Sequence, residues 1–166
     1  MKSTVPLGFF KQLPHYDFNL VFAPEFLHAQ TAVEDLINPK FVVASGSKAE
    51  QLIDIYHWIP RNRFHIVSYE TATVIKLAMN IYAATKISFV NELEQICDDN
   101  NANVEKVLEL LRLEGRMAEP YSHARVGAYG GSCLPKDSLE VVNASSKTIL
   151  MRAVHEVNEK AKKRYG

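Results

Sequence analysis

The chain has 166 residues, 47% of them hydrophobic, with 19 basic side chains balanced by 19 acidic ones. That length and apolar content predict one compact domain, or one and a piece of another, and exclude disorder as the main state. Zero net charge gives no long-range field to recruit nucleic acid or an anionic membrane, and no apolar run approaches a membrane span, so neither partner is expected.

Residues 18–23 (FNLVFA), 40–45 (KFVVAS) and 64–68 (FHIVS) are short β-branched or aromatic runs bounded by Pro, Asn, Gly or Arg, the pattern of buried strands. Between the second and third, Leu52, Ile53, Ile55, Tyr56 and Ile59 predict a helix over 48–59 packed on a sheet, with Ser47 as N-cap and Pro60 as stop. Residues 71–99 contain no Gly or Pro and predict one long helix. Its apolar face is expected to hold Val74, Leu77, Ala78, Ile81, Phe89, Leu93 and Ile96, while Ala72, Ala78, Ala83 and Ala84 admit close approach by another helix. A second helix is predicted over 104–113, capped by Asn103 and ended by Gly115. After a loop with Gly115, Pro120, Gly127, Gly130 and Gly131, a last helix starts near Leu139 or Thr148 and runs to Lys163, with Ile149, Leu150, Ala153, Val154 and Val157 inside. The expected class is α+β: a partial α/β segment over 1–68, then an all-α segment with long helices over 69–166.

The two cysteines, Cys97 and Cys133, form no C-x-x-C pair, and no basic-then-apolar leader precedes them. A disulfide scaffold, a zinc site and secretion are therefore not expected, and a reducing cytoplasmic compartment is. The six histidines have no ligand spacing, so no metal is assigned. Cys97, between Ile96 and Asp98 on the long helix, reads as packing. Cys133 lies in AYGGSCLPKD (residues 128–137), where it is either a small half-buried apolar group or a nucleophile. The second reading draws on its neighbours. Gly130 and Gly131 permit close approach by a ligand, Pro135 fixes the following chain, and Lys136 with Asp137 supplies a cation and a carboxylate near the sulfur.

GGSCLPKD resembles the cysteine motif of the UDP-glucose/GDP-mannose dehydrogenase family. The likeness extends in order through KSTVP (2–6), APEFL (23–27), TAVEDLINPKFVV (31–43) and IKLAMN (75–80). The resemblance implies NAD-dependent oxidation of a sugar nucleotide's primary alcohol, UDP-glucose or GDP-mannose, to the carboxylate. Cys133 would hold the aldehyde as a thiohemiacetal that becomes a thioester and is hydrolysed. It implies further that residues 1–68 end a Rossmann-like NAD domain and that 69–166 form a helical domain that dimerises through the long helix.

By the same resemblance Lys76 and Asn80, one helical turn apart, face the developing oxyanion; read alone, they are a polar strip on a helix. Asp137 would orient water or pass a proton, or else cap the last helix. Glu25 would be the general base of thioester hydrolysis with Thr4 holding the water, or else Glu25 begins a helix and Thr4 ends a strand. Phe26, Leu27, Gly130, Gly131 and Arg116 are assigned to substrate, Arg116 reaching a neighbouring subunit or standing as a surface residue, and Lys136 to the cofactor. The chain departs from the family's usual PEFLxEG, because Ala29 and Gln30 stand where Glu and Gly are usual. No G-x-G-x-x-G occurs among its seven glycines. The expectation is that this chain alone neither binds NAD well nor turns over. The alternative is a reduced, non-catalytic relative that partners a full-length dehydrogenase.

Overall fold

The computed structural model describes residues 1–14, 18–28, 30–115, 117, 121 and 127–165. It is mostly helical with a small parallel sheet, and it divides into two compact units, Met1–Ala78 and Met79–Gly166.

In the first unit, β1 (Val42–Ala44) pairs in parallel with β2 (Phe64–Ile66), Val42 opposite Phe64 and Ala44 opposite Ile66. The helix α2 (Gln51–Ile55) lies between them in sequence, giving the β-α-β order that a parallel pair requires. Phe22, Val43, Val5 and Ala72 form a buried cluster, with Phe10, Phe41 and Tyr69 packed against it. Two expectations are corrected here. Residues 18–23 make no strand: Phe22 forms a single antiparallel bridge with Ser45, with N–H···O distances of 3.0 and 2.8 Å. Gly46 ends that pairing, turning at φ 114°, and a Cβ there would stand 2.2 Å from the Leu20 carbonyl oxygen. Ser47 is not the cap of α2, because its hydroxyl donates to Asn19 Oδ1 at 3.0 Å and the chain turns through residues 47–50 before α2 begins. Trp58 follows α2, 48% exposed, edge-on to Tyr56 and His57.

A short helix, α1 (Ala32–Ile37), was not expected from the sequence. The Asp35 carboxylate organises its start, accepting from the His28 backbone N–H at 2.8 Å and the Thr31 hydroxyl at 3.0 Å. The first of these contacts, then the His28 ring, holds the Asp35 carboxyl below its usual range.

The long helix α3 (Tyr69–Asp99) begins in the first unit and ends in the second. Helix α4 (Val104–Glu114) is bounded as predicted: Asn103 accepts from Lys106 N–H at 2.8 Å, and Gly115 leaves the helix in the left-handed region at φ 93°. The expected last helix is two helices, α5 (Leu134–Ala144) and α6 (Ile149–Tyr165). Arg152 of α6 donates to the Val142 and Ser145 carbonyls at 3.0 and 3.2 Å, satisfying the open end of α5 so that the chain can stop and restart.

The buried faces are more polar than the apolar pattern suggests. Leu77, Ile81, Ala84, Ile87 and Val90 of α3 are buried, but so are Asn91 and Glu94, while Val74, Phe89 and Ile96 are more than half exposed. Each of these two makes a bond across the fold: Asn91 Nδ2 donates to the Gly127 carbonyl at 2.9 Å, and Glu94 accepts from the Tyr165 hydroxyl. On α6, Val154, Val157, Asn158 and Ala161 face inward, whereas Ile149, Leu150 and Ala153 are exposed. Small residues allow α3 and α6 to meet closely, Ala84 packing with Val154 and the Ser88 hydroxyl donating to the Val154 carbonyl at 3.2 Å. Cys97 packs with Val90, Val104 and Leu108. Among the described residues no helix is long and apolar enough to cross a membrane, and no group of three His, Cys, Asp or Glu side chains could hold a metal ion.

Candidate active site

Cys133 is exposed and occupies the N-cap position of α5. Pro135 sits in the first turn of that helix, where its missing N–H leaves no helical bond unmade. The Cys133 carbonyl accepts from Asp137 N–H at 2.9 Å, and its sulfur lies 3.7 Å from the Ser132 hydroxyl. The positive end of the α5 dipole thus lies at Cys133.

One turn further on, Asp137 is 1% exposed. Its Oδ2 accepts from Asn80 Nδ2 at 2.5 Å, and its Oδ1 is paired with the Lys136 ammonium. A buried carboxylate needs such partners, since removing its hydration without replacement is costly. The pairing assembles Asn80 from α3 with Lys136 and Asp137 from α5 around the turn that begins at Cys133. The Asn80 amide donates one of its two N–H groups to Asp137. Lys136, assigned from sequence to the cofactor, is engaged by Asp137.

The first unit holds Thr4, Glu25, Phe26, Leu27 and Lys76, and the second holds Gly130 and Gly131. Glu25 is half-buried and paired with Lys2 at 2.7 Å. Burial works against the Lys2 charge, but its bonds to Glu25 and the Tyr56 side chain outweigh that and hold its pKa above the ordinary lysine value. Lys76 Nζ stands 5.5 Å from the centre of the Phe26 ring, a cation over an aromatic face, and Phe26 in turn packs on Phe41 at 4.9 Å between ring centres. Thr4 is half-buried beside Val5, Leu27 is 37% exposed, and Gly130 and Gly131 of the cysteine loop are exposed. Arg116 and Ala29 lie outside the described residues.

Sequence reasoning overlooked three contributors. Lys2 is one, the first residue of the KSTVP segment, whose partner Glu25 is set only by the fold. Asn91 and Asn158 are the others, carboxamides set in the apolar stripes of α3 and α6, where an amide signals a buried partner.

A family model described as "UDP-glucose/GDP-mannose dehydrogenase family, central domain" matches residues 70–160. UDP-glucose 6-dehydrogenase TuaD of Bacillus subtilis (strain 168) is 36% identical over 178 residues, covering 96% of this chain and 38% of its own. UDP-glucose 6-dehydrogenase of Rhizobium meliloti (strain 1021) is 35% identical over 159 residues, covering 87% and 36%. Among solved structures, a UDP-glucose dehydrogenase from Pyrobaculum islandicum superposes with a TM-score of 0.83 at 29% identity, covering 96% of this chain and 40% of that one. The chain therefore spans well under half the length of the relatives it matches. With the matched domain covering more than half of its residues, and the cysteine motif inside the match, the chain belongs to the UDP-glucose/GDP-mannose dehydrogenase family.

Proposed function

We propose that this chain carries the carbon-sulfur chemistry of a sugar-nucleotide dehydrogenase, with Cys133 as nucleophile. The observation that carries the reading is the exposed cysteine at the head of α5, one turn from a buried Asp137 held by Asn80 and Lys136. In this reading the Cys133 thiolate adds to the carbonyl carbon of the sugar aldehyde, forming a C–S bond and an alkoxide. The second Asn80 N–H and the Lys76 ammonium donate to that oxygen. Asp137 positions Asn80 and Lys136. At the thioester stage Glu25, with Thr4, draws a proton from water, whose oxygen attacks the acyl carbon and releases the thiolate. Phe26, Leu27, Gly130, Gly131 and Arg116 contact the substrate, UDP-glucose or GDP-mannose.

NAD is the hydride acceptor this oxidation requires. The residues here do not fit it: the sequence has no G-x-G-x-x-G, and the described sheet has two strands. We therefore assign residues 1–68 as the end of an NAD-binding domain, residues 69–166 as the helical domain that pairs two copies through α3, and NAD binding to segments outside this sequence. The exposed Tyr82, Phe89 and Ile96, spaced by heptads along α3, support the pairing.

The test is to exchange this segment for its counterpart in TuaD and follow NADH formation from UDP-glucose and NAD. The reading expects turnover that Cys133→Ser abolishes. A folded chimera that binds both ligands and is inactive refutes it. Cys133-dependent reduction of NAD by the present chain alone refutes the assignment of NAD to other segments.

A further inference from the structure

The arch that carries Cys133 is anchored at both ends on one cluster. Tyr129, just before the glycine pair, is 3% exposed and packs with Ala84, Ile87 and Val154, and Leu134, just after Cys133, packs on the same residues. Gly130, Gly131, Ser132 and Cys133 between them are exposed, with Gly131 at φ 75°. So short an exposed arch takes its shape from its anchors.

The first anchor is fixed by Asn158 of α6, which is 1% exposed. Its Oδ1 accepts from the Tyr129 N–H at 2.7 Å, and its Nδ2 donates to the Tyr129 carbonyl at 3.2 Å. One carboxamide thus does for Tyr129 what a neighbouring strand would do, setting the peptide plane on both sides of the residue. Asn91 adds a bond to the Gly127 carbonyl, two residues upstream. An apolar residue would fill the α6 stripe without the cost of burying an amide, and among the described residues the amide's bonds go to the backbone entering the cysteine arch.

We propose that Asn158 is a positioning residue for Cys133: by latching Tyr129 it sets the conformation in which the thiol is presented. The inference rests on the reading of Cys133 as nucleophile.

The test uses the purified chain and the variants Asn158→Leu, which removes both bonds, and Asn158→Asp, a near-isostere that keeps the acceptor and loses the donor when ionised. Thermal melts establish that each folds. Amide hydrogen exchange reads the arch, and iodoacetamide alkylation across a pH series reads the thiol, with Cys97 as buried internal reference and the free decapeptide 128–137 as the unpositioned limit. With Asn158→Leu the amides of residues 129–133 should exchange roughly tenfold faster while those of 84–90 are unchanged, as loss of two bonds at one anchor predicts. The Cys133 alkylation profile should move toward that of the decapeptide, and Asn158→Asp should fall between. A Cys133 profile that differs from the decapeptide in the wild type and is untouched by either folded variant overturns the positioning role but leaves the nucleophile reading standing. If the wild-type profile already equals the decapeptide's while arch exchange still responds to Asn158, the Cys133 reading fails instead, and the positioning proposal with it. Should Asn158→Leu not fold, the Asp variant alone decides by the same comparison.

Discussion

Replacing Asn80 with alanine tests the physical core of the site. The substitution strips Asp137 of the donor on Oδ2 while leaving Lys136 on Oδ1. Asp137 is 1% exposed, so water cannot readily take the vacated position, and the loss is that of a hydrogen bond to a buried charge, about 1.5–3 kcal/mol. Lys136→Ala should cost less, about 0–1 kcal/mol, because that side chain is 59% exposed and its pairing is screened. Urea unfolding followed by circular dichroism gives both values, and a loss of about 2 kcal/mol lowers the melting temperature by roughly 4–8 °C in a chain of this size. The sharper reading is the double-mutant cycle with Asp137→Leu, in which Asn80→Ala should become nearly neutral. An Asn80→Ala cost below about 0.5 kcal/mol, or an equal cost in both backgrounds, would show that Asp137 does not depend on Asn80 and would refute the reasoning.

Further outcomes follow from other contacts. Gly46→Ala should destabilise the first unit by at least about 2 kcal/mol, since a Cβ there meets the Leu20 carbonyl and the Tyr69 hydroxyl at a left-handed φ; an unchanged melt would contradict that geometry. Burial, then the bond to Glu94, pushes Tyr165 up to about 12 from 10.0, so its stabilisation is complete below pH 10 and is lost as pH rises toward 12. Ultraviolet titration should show a late phenol that Tyr165→Phe removes. Lys2 is also raised from 10.5, so its share of stability is present below that pH and fades as pH climbs through its folded value, a fade that Lys2→Met should erase. Asp35 has the opposite sign: its contribution is present above pH 3.8 and is lost as pH falls through its lowered value, with the His28 amide resonance as the reporter.

How much of this was legible depended on whether the determining interaction was local. The bounds of α4 could be read because Asn103 and Gly115 act within one turn of the helix ends. Strands β1 and β2 lie within β-branched runs that announced themselves. Residues 18–23 look like those runs, yet pairing is decided by the neighbour, and the turn at Gly46 leaves room for one bridge only. The same limit explains the helix faces: Phe89 and Ile96 are apolar and outside, Asn91 and Glu94 polar and inside, because distant partners near Gly127 and Tyr165 reward the exchange. Cys133 and Asp137 could be picked out from a short motif, but the bond that ties Asn80 to Asp137 spans 57 positions and exists only in the fold.

Trp58 has a practical consequence. It is the chain's single tryptophan and lies wholly within the first unit, half in water against Tyr56 and His57. Indole emission therefore reports on the first unit's surroundings of Trp58, whereas far-ultraviolet ellipticity is weighted toward the helices α3 to α6. Two spectrometers pointed at one cuvette thus separate the halves without a label. Superimposable denaturation curves would mean that damage around β1 and β2 is felt at the cysteine, and divergent ones that each half carries its own cooperative transition.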